Sequence, residues 1–189
     1  FVFIKSNSTL EDVKTSVAPF LKDATTFVWV AKRKSYQEVI KPGKYKITKG
    51  LSNNDLINLL RSGNQTPTIV TFNNQHTLAD LAGRIAAQIE ADSISLLKAM
   101  LNKSFLNKNN FSEKSILGMF IPNSYEFYWN STAEQFRDRM LIEYNRFWTD
   151  ERINTARALK LTRTQVIALA SIVQKETAKI YERPIDAGL

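Results

Sequence analysis

Glu176 is the carboxylate whose setting in this chain suits proton chemistry. It ends the run Val166-Ile-Ala-Leu-Ala-Ser-Ile-Val-Gln-Lys-Glu176, which holds no Gly or Pro. Thr162 and Gln165 stand at capping-box spacing, so a helix is predicted to start at Thr162. At about 100° per residue, Val166, Leu169, Ala170, Val173 and Thr177 share one arc, with Ile172 at its edge. Lys175 and Lys179 fall opposite. Glu176 falls between Leu169 and Ile172, on the apolar side. A carboxylate held there loses water, its charged form is disfavoured, and its pKa rises. Such a group can give a proton near neutral pH and take one back. The plainer alternative is a solvated Glu, or a partner for a nearby Lys. Spacing alone leaves both open.

Other chemistries are excluded by residue type. The chain has no cysteine, so disulfides and thiolate chemistry are ruled out, and its single histidine rules out multi-histidine metal sites. That histidine, His76, precedes a helix cap and is expected to be an exposed loop residue. No Gly-rich phosphate loop is present. No metal and no cofactor are therefore expected.

The segment Ala168-Leu-Ala-Ser-Ile-Val-Gln-Lys-Glu-Thr177, followed by Glu182-Arg183-Pro184, resembles the catalytic signature of the endolytic murein transglycosylase family, the YceG-like proteins. The resemblance gives Glu176 the role of catalytic acid and base. Gln174 stands where many relatives have a second Glu, and Asp186 where they have an apolar residue. Glu182 is read as an ion-pair partner of Arg183 or another nearby cation. A second segment, Leu117-Gly-Met-Phe-Ile-Pro-Asn-Ser-Tyr125, is similar to the family's Glu-Gly-Phe-Leu-Phe-Pro-Asp-Thr-Tyr. Gly118, Pro122 and Tyr125 match. Leu117 replaces the Glu, while Asn123 and Ser124 keep size and hydrogen bonding but lose a charge. The resemblance makes Tyr125, Asn123 and Ser124 the candidate substrate-binding residues. The aromatics from Tyr125 to Trp129 could face sugar rings or fill the core; for Phe127 the core is favoured.

Ordinary glycosidases use two carboxylates. The implied reaction needs one. The acid protonates the oxygen between N-acetylmuramic acid and N-acetylglucosamine, and the same group then accepts the proton of the muramic 6-hydroxyl as a 1,6-anhydro ring closes. The resemblance further implies a single membrane-spanning helix upstream, with this region on the periplasmic side of the inner membrane. It implies peptidoglycan glycan strands as substrate. Relatives continue beyond Leu189, so these residues alone are expected to be inactive, with apolar surface uncovered around Ile172 and Val173.

The elements that must position these residues can be read in order. Val2-Phe-Ile4 is a short strand, and Ser8/Thr9 opens a helix through Leu10, Val13 and Val17. Residues 25–36 suit a strand by composition or a second helix by context. Lys41-Pro-Gly-Lys-Tyr leads into a strand with Tyr45 and Ile47 on one face. Ser52 caps a helix that carries Leu56, Ile57, Leu59 and Leu60 inward and stops at Gly63. This first part resembles the family's LysM-like module, a β-α-α-β unit associated with peptidoglycan. Thr66 to Phe72 is a strand, and Thr77 with Asp80 opens a helix. Ser93 to Leu101 is a helix, and Asn102 to Asn110 is read as an exposed loop. Thr132 with Gln135 starts a long helix with Phe136, Met140, Leu141, Tyr144 and Phe147 inward, followed by a short helix over about 150–159. The expected fold is α+β, with a LysM-like domain over 1–65 and the first, mainly helical portion of the catalytic domain over 66–189.

The 189 residues are 43% hydrophobic and 11% aromatic, as a packed globule requires. The net charge is +8, and most of the excess falls before the expected boundary. That suits an anionic partner: cell-wall polymer with its peptide carboxylates, lipid headgroups or nucleic acid. Lys32, Arg33, Lys34, Lys41, Lys44, Lys46 and Lys49 serve equally as a solvated face. No helix-turn-helix, zinc or ribonucleoprotein pattern is present, so nucleic acid is not the expected partner. The competing function is non-catalytic: a peptidoglycan-binding or assembly module that docks on cell-wall synthesis proteins.

Overall fold

Two antiparallel strand pairs join segments distant in sequence, and the helices pack around them. The computed structural model describes residues 1–176, the last of these in backbone only. The first pair is β1 (Val2–Ile4) with β2 (Gly43–Tyr45), in the register Val2↔Tyr45 and Ile4↔Gly43. Between them run α1 (Leu10–Val17) and α2 (Ala24–Arg33), and α3 (Asn53–Ser62) follows. Thr9 caps α1 reciprocally with Asp12. The segment whose composition suited either state is helical. The Asp23 carboxylate accepts from the backbone N–H groups of Thr25 and Thr26, and Phe27 and Ala31 face the core four residues apart. Ser52 caps α3, and Gly63 closes it at φ 73°. Val2, Ile4, Val13, Val17, Phe27, Tyr36, Tyr45, Leu56, Ile57 and Leu60 form one buried cluster. Leu59 is only half-buried.

The second pair is β3 (Thr68–Phe72) with β4 (Asn123–Phe127), in the register Val70↔Tyr125 and Phe72↔Asn123. Around it lie α4 (Leu78–Ala86), α5 (Ser93–Met100), α6 (Lys103–Lys108), a 3-10 turn at Ile116–Met119, α7 (Ala133–Phe147), α8 (Asp150–Ala158) and α9 (Arg163–Glu176). A separate buried cluster runs from Val70 to Ala156, with Phe136 at the centre of three ring contacts, to Phe72, Phe120 and Phe127. The expected loop at 102–110 is instead largely α6. Asn102 accepts from the Phe105 N–H at 3.0 Å, and Phe105 and Leu106 are buried. Two apolar side chains and a cap outweigh the polar neighbours there. On α7, Phe147 is 38% exposed rather than inward, and Leu141 is half-buried.

The two parts touch at β1 and just after it. Alternation turns Val2 and Ile4 inward and Phe3 outward, where its ring lies 5.0 Å from that of Trp129. Ser6 donates to the Glu90 carboxylate from both its N–H, at 2.6 Å, and its hydroxyl, at 2.8 Å. The fold is α+β: a small β-α-α-β unit followed by a mainly helical part.

Candidate functional site

Helix α9 begins where its cap residues dictate. The Thr162 N–H donates to Gln165 Oε1 at 2.8 Å, and the Gln165 N–H donates to Thr162 Oγ1 at 3.2 Å. Val166 and Ile167 pack on the second cluster, Val173 is buried, and the Arg163 guanidinium lies over the Trp148 ring. The 3-10 turn at Gly118 lets Ile167 approach closely. The helix reaches Glu176.

One sequence expectation is corrected here. Leu169, expected on an inward arc, and Ile172, expected at its edge, are 43% and 56% exposed, and Ala170 of the same arc is exposed as well. Apolar residues occupy most of the helix circumference, so only some of them can face the core, and the close contact at Gly118 selects Ile167 and its neighbours. Of the two positions expected to be uncovered, Ile172 is and Val173 is not. The Glu176 side chain lies outside the described residues. So do Thr177, Lys179, Glu182, Arg183, Pro184 and Asp186.

A groove of about 660 Å³ runs along a different face of α9. Its helical wall is Thr164, Ile167, Ala168, Ala170, Ser171, Gln174 and Lys175, most of them at the spacing of one helix stripe. The facing wall is the loop from β3 to α4, Asn73 to His76, together with Lys114, Ser115, Leu117, Gly118, Ile121 and Pro122. The Asn74 amide donates to Gln174 Oε1 across the groove. Phe72, Leu81 and Phe120 supply apolar surface beneath. His76 is exposed, as expected, but it also lines this groove.

The three candidate substrate-binding residues sit on β4, and none of them lines the groove. Tyr125 is only 8% exposed: its ring stacks on Phe72 at 5.8 Å, and its hydroxyl donates to the Ile121 carbonyl at 2.6 Å. Burial raises its pKa. Pairing with Val70 turns this position inward, so the ring is a packing group and not a face for sugar. Asn123 and Ser124 are exposed. Ser124 Oγ bonds Thr71 Oγ1 at 2.8 Å across the strand pair, and Asn123 Oδ1 accepts from the Ser124 N–H. Phe127 is buried against Phe136, as favoured.

Sequence reasoning passed over Asn74, Lys114 and Ser171. Asn73 to His76 was legible as a loop before the Thr77 cap, but its contact with α9 joins residues a hundred positions apart. Among the described residues, no three acidic or histidine side chains gather as metal ligands would. The basic residues of the first cluster are partly engaged. Lys34 donates to Asn58, Lys41 to the Ser62 carbonyl and Lys44 to Thr68 Oγ1.

The YceG-like family profile matches residues 2–189. Two curated proteins of Streptococcus pneumoniae, from strains D39 and R6, are named endolytic murein transglycosylase. Each is 24% identical over 217 residues, which is 100% of this chain and 39% of the relative. The chain thus spans well under half the length of these relatives. A crystal structure of a YceG-like protein from Listeria monocytogenes superposes with a TM-score of 0.57 at 20% identity, over 96% of this chain and 66% of that one. That likeness concerns the fold. With the family profile matched from the second residue to the last, the chain belongs to the YceG-like family.

Proposed function

We propose that this chain is part of a peptidoglycan lytic transglycosylase in which Glu176 is the catalytic acid and base. The observation that carries the proposal is the signature Ala168 to Thr177, with its Glu at the end of α9, inside a family match from residue 2 to 189. The name borne by the Streptococcus pneumoniae relatives supports the substrate class.

The chemistry requires one carboxyl group. Its proton goes to the glycosidic oxygen as the bond from the muramic anomeric carbon breaks. The muramic 6-hydroxyl then bonds to that carbon and returns its proton to the carboxylate. The products are a free N-acetylglucosamine hydroxyl and a 1,6-anhydro-muramic end, with no water consumed. The exposed Leu169 and Ile172 are a natural seat for further parts of such a catalytic domain. The 189 residues alone should therefore not turn over. Within this proposal, residues 1–65 form a LysM-like unit and residues 66–189 begin the catalytic domain. An upstream helix tethers both outside the cytoplasmic membrane.

Mass spectrometry of purified murein after incubation with the full-length protein tests the reaction class. Fragments with 1,6-anhydro ends are the expected result. Retained binding to murein without any cleavage would overturn it in favour of a wall-binding or assembly module that docks on cell-wall synthesis proteins.

A further inference from the structure

The groove beside α9 has a charge pattern that the cleavage chemistry does not use. His76, Lys114 and Lys175 line it, and among the described residues no Asp or Glu does. Its remaining polar groups are mostly amides and hydroxyls, with Asn74 and Gln174 bonded across the opening. The floor is apolar, and the volume, about 660 Å³, is in the range of sites for small ligands.

This combination discriminates between the parts of a murein strand. The sugars are neutral where the muramic lactyl group is amide-linked to a peptide. The negative charge then resides on the carboxylates of the peptide stem, which also carries backbone amides and small apolar side chains. Two lysines with no competing carboxylate match the former, amide side chains the backbone, and the apolar floor the methyl groups.

Gln174 and Lys175 line the groove at the end of α9, and Glu176 is the next residue. The groove face and the Leu169–Ile172 face are two sides of one helix that ends at Glu176. On the wheel Glu176 belongs to the Leu169–Ile172 side and Lys175 to the groove side, so the peptide stem of a strand cleaved at Glu176 would pass around the end of α9 to reach the groove.

Resting on the transglycosylase proposal above, we propose that this groove binds the peptide stem of murein through Lys114 and Lys175, and so selects peptide-bearing strands over stripped ones.

The test uses the full-length protein and its Lys114→Glu and Glu176→Gln variants. Lys114 is exposed, and thermal melts check that the variants fold. Calorimetry with the free murein tetrapeptide gives the first readout. Wild type and Glu176→Gln should bind it alike, and Lys114→Glu about tenfold more weakly. Turnover of peptide-bearing strands against strands stripped by an amidase gives the second. The wild-type kcat/KM ratio should favour peptide-bearing strands, and Lys114→Glu should lower that ratio by a similar factor. No tetrapeptide binding to the wild type, or a ratio unchanged by Lys114→Glu, would overturn the proposal. Tetrapeptide binding that survives while Glu176→Gln keeps full activity would support the groove as a peptide site and count against Glu176 as the acid.

Discussion

Gly118 has no side chain where α9 comes closest: a Cβ at Gly118 would stand 2.9 Å from Ile167 Cγ2. That methyl group hangs from a branched β-carbon and cannot swing away cheaply. The glycine is therefore a packing device that seats the helix bearing Glu176. Gly118→Ala should cost about 1–3 kcal/mol, as overpacking does. Ile167→Ala alone should also destabilise, by leaving a cavity. In the Ile167→Ala background, however, the alanine at 118 should cost clearly less. Denaturant melts of the four-protein cycle check this. Additive losses would mean that the close approach does not limit α9.

Two tyrosines in the first cluster should respond oppositely to loss of a hydroxyl. Tyr45 donates to the Lys41 carbonyl at 2.9 Å. The Tyr36 hydroxyl is buried and has no partner among the described residues. Tyr45→Phe should cost about 1 kcal/mol, whereas Tyr36→Phe should be neutral or stabilising. Melting curves at neutral pH that ranked the two the other way would contradict this assignment.

The same pair sets an alkaline limit. Burial pushes the Tyr45 phenol up to about 12, and burial followed by the charge of Tyr45 raises Tyr36 as well. Both folded values exceed the unfolded value of about 10. The protonated phenols thus contribute stability that is complete below about pH 10 and lost as pH rises through the folded values. Stability should fall between pH 10 and about 12, and Tyr36→Phe should flatten the fall. A pH-independent stability across that window would contradict the account.

The caps were legible because each is a local hydrogen bond between residues three apart. Thr9, Ser52, Thr77, Thr132 and Thr162 all start helices where their spacing says they should. What faces inward was less legible. Apolar residues on α9 surround more than one face, and the choice of Ile167 over Leu169 is made by Gly118, far away in sequence. For Tyr125 the sequence leaves both sugar contact and core open, and its strand register with Val70 decides for the core. Helix α6 was hidden by its Asn and Lys content, although Asn102 supplies the cap and Phe105 packs under the Arg137 guanidinium. Asn102→Ala should accordingly cost about 1 kcal/mol. A melting temperature unchanged by that substitution would show that the cap contributes nothing.

Glu176→Gln in the full-length protein tests the central claim most directly. The substitution is nearly isosteric but removes the transferable proton. Incubated with murein, the variant should release almost no 1,6-anhydro-ended fragments, with losses on the order of 100-fold or more, while its melting curve stays near that of the wild type. Gln174→Ala, two residues earlier in α9 and bonded to Asn74, should lose far less. Full activity in Glu176→Gln with normal folding would contradict the account, and an equal loss in Gln174→Ala would place the essential group elsewhere on the helix.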